Sequence, residues 1–424
     1  MAAQRRVAVI GGGWAGLAAA VEATRRSHQV TLYEMAPQLG GRARQVDFGD
    51  AVLDNGQHIL IGAYSQTLSL MRLVGVDVEQ ALLRTPLRIT YPDGTGLQLK
   101  SGSPILAFAG AVLRYPGWRW RDKLALLTTA TRWALQRFQC APTQTVAQLT
   151  AHLPVAVRDE LLDPLCVAAL NTPASQASAT VFLRVLKDAL FSGPGSADLL
   201  LPRQRLSALW PQPAANWLTA AGATVHLSTR ADSLERVNDR WRVNGESADA
   251  VVLACTANEA ARLTAADAPG WSRQAAALHY EPIVTIYLSS AGSRLPQPMM
   301  ALRSDASRPA QFAFDLGAIS GLDGVIALVV SGAATWVAQG TEAVTQAALE
   351  QARQAFGGRL PGPLSVLRTT TEKRATFLCT PQLQRPASRV LPALFAAGDY
   401  VEGPYPATLE GAVRSGIAAA SAIH

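Results

Sequence analysis

Glycines at positions 11, 13 and 16 give the spacing G-x-G-x-x-G across Gly11, Gly12, Gly13, Trp14, Ala15 and Gly16, and Glu34 follows eighteen positions later. This pattern suits the binding of a dinucleotide. Glycines permit a tight turn and let the backbone approach a pyrophosphate, while the N-terminus of the following helix presents unpaired N–H groups to its charge. A carboxylate about 20 residues on accepts hydrogen bonds from ribose hydroxyls and repels a 2′-phosphate. The elements needed to position these groups are legible too. Residues 7–10 (VAVI) form a β-branched apolar run of the kind found in a strand buried on both faces of a parallel sheet. Residues 17–26 (LAAAVEATRR) predict a helix whose small residues pack closely on that sheet, and residues 28–34 predict the next strand. A glycine turn without a ligand is the plain alternative, but strand, helix and acidic residue together argue for FAD or NAD.

Two further segments add candidate cofactor contacts. In Gln38-Leu39-Gly40-Gly41-Arg42-Ala43 a second glycine turn precedes an arginine able to pair with a phosphate. Residues 394–399 (LFAAGD) predict a strand ending in Gly398-Asp399, and residues 406–416 (PATLEGAVRSG) predict the start of a helix. Taken alone, Asp399 and Thr408 are ordinary helix caps.

A chain of 424 residues exceeds the usual size of a single core, which predicts two lobes. Hydrophobic residues make up 49% and charged residues 16%, a balance that implies large buried surfaces or an apolar cavity. The longest apolar stretch, residues 104–113 (PILAFAGAVL), is too short to span a bilayer. The formal charge of +7 allows attraction to anionic surfaces, but no zinc-finger spacing or basic block points to nucleic acid. Cys140, Cys166, Cys255 and Cys379 lie far apart, so neither a metal site nor a disulfide framework is indicated. The first residues run into a glycine turn with no signal-peptide cleavage region, and the expected location is the cytoplasm.

The L-G-G-R segment and the Gly398-Asp399 segment resemble the flavin amine oxidase and phytoene desaturase superfamily. Internal segments carry a narrower resemblance, to the squalene-associated FAD-dependent desaturases known as hydroxysqualene dehydroxylases: residues 54–60 (DNGQHIL), 168–179 (AALNTPASQASA), 198–203 (DLLLPR), 281–283 (EPI), 372–377 (EKRATF) and 405–416. Residues 401–404 (VEGP) depart locally from that pattern.

The resemblance implies an α/β fold, a Rossmann-type FAD-binding domain with an inserted mixed α+β substrate domain. Residues 1–81, 211–281 and 377–424 would form the FAD-binding domain, 82–210 a mainly helical substrate lobe, and 282–376 a sheet over the flavin. The strands around residues 223–227, 241–243 and 250–254 would add to the FAD domain, with Ala231 near the adenine. Gly41, Arg42, Asn55, Gly56, Gln57, Gly398, Asp399, Thr408 and Leu409 would join the first motif in holding the cofactor. Residues 398–416 contain no cysteine, so FAD should be non-covalent.

The implied reaction is reduction of hydroxysqualene to squalene in hopanoid synthesis, with hydride from reduced FAD and loss of the hydroxyl as water. A carotenoid-type desaturase, which moves hydride the other way, is the enzymatic rival, and a prenyl-lipid binding protein is the non-enzymatic one. An acid must protonate the departing oxygen. His58 and Tyr405 lead the candidates, ahead of Tyr400, Glu402 and Glu410. A hydrocarbon substrate also suggests peripheral contact with the inner face of a membrane. Residues 106–123 (LAFAGAVLRYPGWRWRDK) combine an apolar run, Tyr115, Trp118 and Trp120, and the cations Arg119, Arg121 and Lys123. A core helix with a solvated basic end is the equal alternative.

Overall fold

The computed structural model describes residues 4–49 and 51–424. A six-stranded sheet takes strands from three distant stretches of chain, in the order Thr224–His226, Gln29–Tyr33, Arg6–Ile10, Ala250–Leu253, Leu394–Ala396 and Arg389–Leu391. The first five run parallel, and Arg389–Leu391 pairs antiparallel at the edge. Alternation along Arg6–Ile10 supplies both faces. Val7 and Val9 enter one core with Leu17, Leu32 and Val252, whereas Ala8 and Ile10 enter another with Val251 and Leu253.

The helices Trp14–Arg25 and Leu409–Ser421 cover the first face side by side. A Cβ at Gly416 would stand 2.1 Å from the Ala15 carbonyl oxygen, so only glycine permits this approach. Near their other ends, Arg26 donates to Ser421 at 2.9 Å. The two helices are therefore parallel, and both N-termini open at the edge where the parallel strands end.

Trp241 does not join the parallel sheet. Strands Leu234–Val237, Arg240–Val243 and Glu246–Ala248 form a separate antiparallel meander, and the Trp241 indole donates to the Pro392 carbonyl at 3.1 Å. Short hairpin turns leave these strands no crossover from which to enter a parallel sheet.

A second, antiparallel sheet has the order Met299–Ala301, Phe312–Asp315, Val325–Val330, Tyr280–Ser289 and Ser365–Phe377. Helix Thr341–Phe356 packs on one face through Val344, Ala348 and Ala352. Tyr287, Phe312 and Phe314 on the other face share a core with the helices Pro104–Arg114, Trp120–Leu135, Asp163–Leu170 and Ala179–Phe191. Residues 82–210 also carry strands. Leu199–Pro202 pairs with both Leu60–Ile61 and Leu82–Thr85, and Arg88–Thr90 pairs with Gly96–Gln98.

A π-helical turn, Arg158–Leu162, turns Glu160 inward. Its carboxylate accepts hydrogen bonds from the Tyr115 hydroxyl at 2.7 Å and the Trp118 indole at 3.0 Å, and those two rings stack with centroids 4.1 Å apart. Tyr115 and Trp118 are consequently buried, contrary to an interfacial role for them. Trp120 stays 66% exposed, with Leu106 at 74% and Leu124 at 55%. Among the described residues no helix is long and apolar enough to cross a membrane.

Candidate functional site

The turn after the first strand is shaped by close approach. Gly11 has φ +108°, and a Cβ at Gly16 would lie 1.8 Å from the Gly11 carbonyl oxygen. Helix Trp14–Arg25 starts at Gly13, which offers no side-chain cap, and its first hydrogen bond runs from Leu17 N–H to the Gly13 carbonyl. No protein acceptor among the described residues takes the N–H groups of Ala15 and Gly16. That cluster of free donors at a helix N-terminus fits a pyrophosphate. The Trp14 side chain itself points away, donating to the Ala43 carbonyl at 3.0 Å and packing against Trp210. Its place in the cradle is through the backbone alone.

Glu34 closes the cradle. One carboxylate oxygen accepts from Gly12 N–H and the other from Ala36 N–H, each at 2.7 Å, which holds the group beside the glycine turn. The next wall is residues 228–231. Thr229 N–H donates to the Glu34 carbonyl at 2.8 Å, and Ala231 is buried with its carbonyl held by Arg262 at 2.7 Å.

Arg42 joins the two halves of the cleft. Its guanidinium donates to the Ala375 carbonyl at 2.6 Å and to the Asp399 carboxylate at 2.7 Å. Burial works against its charge, but Asp399 outweighs that, and the Arg42 pKa stands above its ordinary value. The side chain nonetheless keeps 36% of its surface open, against 9% for Asp399, so the guanidinium lines a cleft and is not sealed in a core. Across the same cleft Gly13 and Gly40 form an isolated β-bridge, and the Cα of Gly41 lies 3.9 Å from where a Gly13 Cβ would stand. Gly398 N–H donates to the Ser415 hydroxyl at 2.8 Å, which ties the turn before Asp399 to the second cleft helix.

Thr408 caps that helix, accepting from Gly411 N–H at 3.0 Å, and leaves the Leu409 N–H without a protein acceptor among the described residues. On the facing loop, the Asn55 amide donates to the Arg42 carbonyl at 3.1 Å and to Glu372 at 3.2 Å. Gly56 holds φ +89°. The Gln57 amide donates to the Tyr287 hydroxyl at 3.2 Å, which donates to the Asp54 carbonyl at 2.8 Å. Burial lowers the His58 pKa to about 4, with the Gly56 carbonyl opposing, Arg42 assisting and Glu372 opposing. The imidazole is therefore neutral near pH 7. Its Nδ1 is buried with no hydrogen-bond partner.

The remaining proton-donor candidates separate clearly. The Tyr405 hydroxyl accepts from Arg184 at 3.2 Å, and its ring lies between the Arg184 and Arg414 guanidinium groups at 5.1 and 5.3 Å. Burial, then the charge of Asp188, raises its pKa. The Tyr400 hydroxyl is buried without a partner, and burial pushes its pKa far up. Glu402 is exposed. Glu410 is fully committed. It accepts from Gln66 N–H, Thr67 N–H, the Thr67 hydroxyl and Arg414, at 3.1, 2.9, 2.7 and 2.7 Å.

Sequence reasoning missed Arg385, which bonds the carbonyls of Asp399 and Tyr405 at 3.2 and 3.0 Å and lies 5.0 Å from the Phe377 ring centroid. No motif marks it, because it contacts only main chain and an aromatic face.

Comparison with known proteins agrees with this geometry. The flavin containing amine oxidoreductase family matches residues 14–424. Hydroxysqualene dehydroxylases from three bacteria align along nearly the whole chain, that of Rhodopseudomonas palustris at 29% identity over 99% of this chain and 98% of its own. A 15-cis-phytoene desaturase from Synechococcus elongatus is 25% identical over 99% of this chain and 95% of its own. Cyclohexylamine oxidase from Brevibacterium oxydans shares the fold, with a TM-score of 0.71 and 16% identity, covering 99% of each chain. The resemblance to hydroxysqualene dehydroxylases thus extends across the sequence, and the glycine cradle with its free helix N-terminus fits FAD. The chain belongs to the flavin containing amine oxidoreductase family and is an FAD-dependent oxidoreductase.

Proposed function

We propose that this protein acts on a polyprenoid, removing the hydroxyl group of hydroxysqualene reductively to give squalene. The observation that carries this reading is how the segments shared with the dehydroxylases meet. Asn171, in residues 168–179, has φ +47° and donates to the Glu281 carbonyl at 3.2 Å and the Thr376 hydroxyl at 3.0 Å. Its amide oxygen accepts from Gly332 N–H at 2.7 Å. Asn55, in residues 54–60, reaches Glu372, in residues 372–377. Segments scattered along the sequence thus form one hydrogen-bonded joint between the helical layer, the second sheet and the cofactor cleft.

Reduced FAD supplies the hydride when bound. The protein's part is to hold an apolar chain in the helical layer, to keep water from the allylic cation that forms as the C–O bond breaks, and to deliver one proton to the departing oxygen. Anaerobic incubation of the enzyme with reduced FAD and hydroxysqualene should yield squalene with flavin reoxidation. Bound FAD without squalene would instead favour desaturation of another polyprenoid, and a colourless protein a lipid-binding role.

The same substrate supports peripheral contact with a membrane, through Leu106, Trp120 and Leu124. Lys123 donates to the Leu113 carbonyl at 2.7 Å and lies 5.6 Å from the Trp120 ring centroid, which sets a cation beside the exposed apolar groups. Leu106→Ser combined with Trp120→Ser should weaken binding to anionic liposomes at least about tenfold, since each side chain contributes roughly 1.5–3 kcal/mol on burial. Unchanged cosedimentation would remove this surface from consideration. Trp118→Ser should lower stability instead, through the indole bond lost to Glu160.

A further inference from the structure

Replacing a carbon–oxygen bond by a carbon–hydrogen bond with a hydride consumes one proton, and the oxygen leaves as water. Glu410 is saturated with donors, Tyr400 and Tyr405 hold their protons tightly, and Glu402 faces solvent. The proton needs another source.

Next to the cofactor cleft, a narrow crevice with room for about one water is lined by Asp54, Gln57, His58, Gln204, Arg205 and Ser320. His58 belongs to both spaces. It lines the crevice, and it also feels the charges of Arg42 and Glu372 beside the cofactor. Its unpartnered, buried Nδ1 is a polar atom that a bound water would satisfy. The Asp54 carboxyl accepts from Leu206 N–H at 2.9 Å through one oxygen, and no protein donor among the described residues reaches the other. The Asp54 carbonyl is pinned by the Tyr287 hydroxyl and by Gly56 N–H, each at 2.8 Å.

We propose that this crevice is the proton inlet of the reaction, with Asp54 taking a proton from solvent and passing it through bound water to His58, which delivers it toward the departing oxygen. The proposal rests on the dehydroxylation reading above. Asp54 is a positioning and relay residue, because it touches neither substrate nor cofactor. The charged groups around the path are Arg205 beside Asp54, and Arg42 and Glu372 beside His58. Burial raises the Asp54 pKa to about 6, against the Leu206 N–H and Arg205. Asp54 therefore holds a proton below about pH 6 and is mostly ionised at neutral pH, while His58, with its pKa lowered to about 4, passes a proton on without retaining it.

Two measurements test the inlet. In anaerobic single turnovers, flavin reoxidation by hydroxysqualene in the wild-type enzyme should slow as pH rises through about 6, the Asp54 pKa. Asp54→Asn should be slower by roughly 10²-fold, lose that pH dependence and be partly rescued by added formate. An Asp54→Asn enzyme slowed equally at every pH, with no rescue, overturns the proposal and leaves Asp54 a structural residue.

In the protein without FAD, infrared titration should show a carboxylic acid band, absent from Asp54→Asn, with a midpoint near pH 6. That midpoint should move in His58→Gln. A band that titrates in the ordinary carboxylate range, or one indifferent to His58, also overturns the proposal. If the wild-type enzyme forms no squalene, the dehydroxylation reading fails by itself, and the infrared titration still decides whether Asp54 and His58 form a coupled proton path.

Discussion

Gly13→Val is expected to give a folded, colourless protein whose affinity for FAD is lower by about 100-fold or more, some 2.7 kcal/mol. Gly13 has φ −73° and ψ −178°, an extended conformation open to any residue, and its added Cβ would meet only the Gly41 Cα, at 3.9 Å. The fold therefore has room for a Cβ at this position. The branch instead crowds the Gly13 turn beside the free N–H groups of the helix, where a pyrophosphate would sit. Circular dichroism should match the wild type, while FAD titration shows the loss. Gly16→Ala makes the contrast, because its Cβ would lie 1.8 Å from a carbonyl oxygen of the chain itself, and that variant should fail to fold. Wild-type FAD affinity in Gly13→Val would place the pyrophosphate elsewhere.

Glu410→Ala is expected to destabilise the protein by about 2–5 kcal/mol, about 1–3 for each buried donor left without its acceptor. The Glu410 carboxylate is only 1% exposed, and it caps helix Ser65–Leu73, whose own N-cap, Tyr64, provides no side-chain bond. Its loss would leave the N–H groups of Gln66 and Thr67 without an acceptor and Arg414 without its partner. Glu410→Gln keeps the shape without the charge and should cost about 1–3 kcal/mol. Urea unfolding of the apoprotein measures both, and a wild-type midpoint for Glu410→Ala would show that the cap contributes nothing.

These cases show why part of the site was legible in the sequence. Where the backbone must approach another group closely, as at Gly11 and Gly16, only glycine serves and the spacing records the geometry. Strands such as Arg6–Ile10 are legible because burial on both faces demands an unbroken apolar run. Side-chain commitments between distant residues leave no such trace. Glu410 looks like any acidic residue in the first turn of a helix, yet the helix it caps lies over 340 residues away. Tyr115 and Trp118 sit among cations and suggest an interface, but Glu160, more than 40 residues on, draws them inward. A short strand does not reveal which sheet it joins either, and the meander around Trp241 stands apart from the parallel sheet.

The side-by-side packing of helices Trp14–Arg25 and Leu409–Ser421 also bears on how the protein matures. A nascent chain that has exposed only the glycine motif has one wall of its cofactor cradle. Strand Leu394–Ala396, the Asp399 partner of Arg42 and the second helix all come from a stretch synthesised long after the glycine motif. Contacts so distant in sequence close slowly. A chain exposed only as far as residue 393 therefore lacks the second helix of the cradle and the Asp399 partner of Arg42.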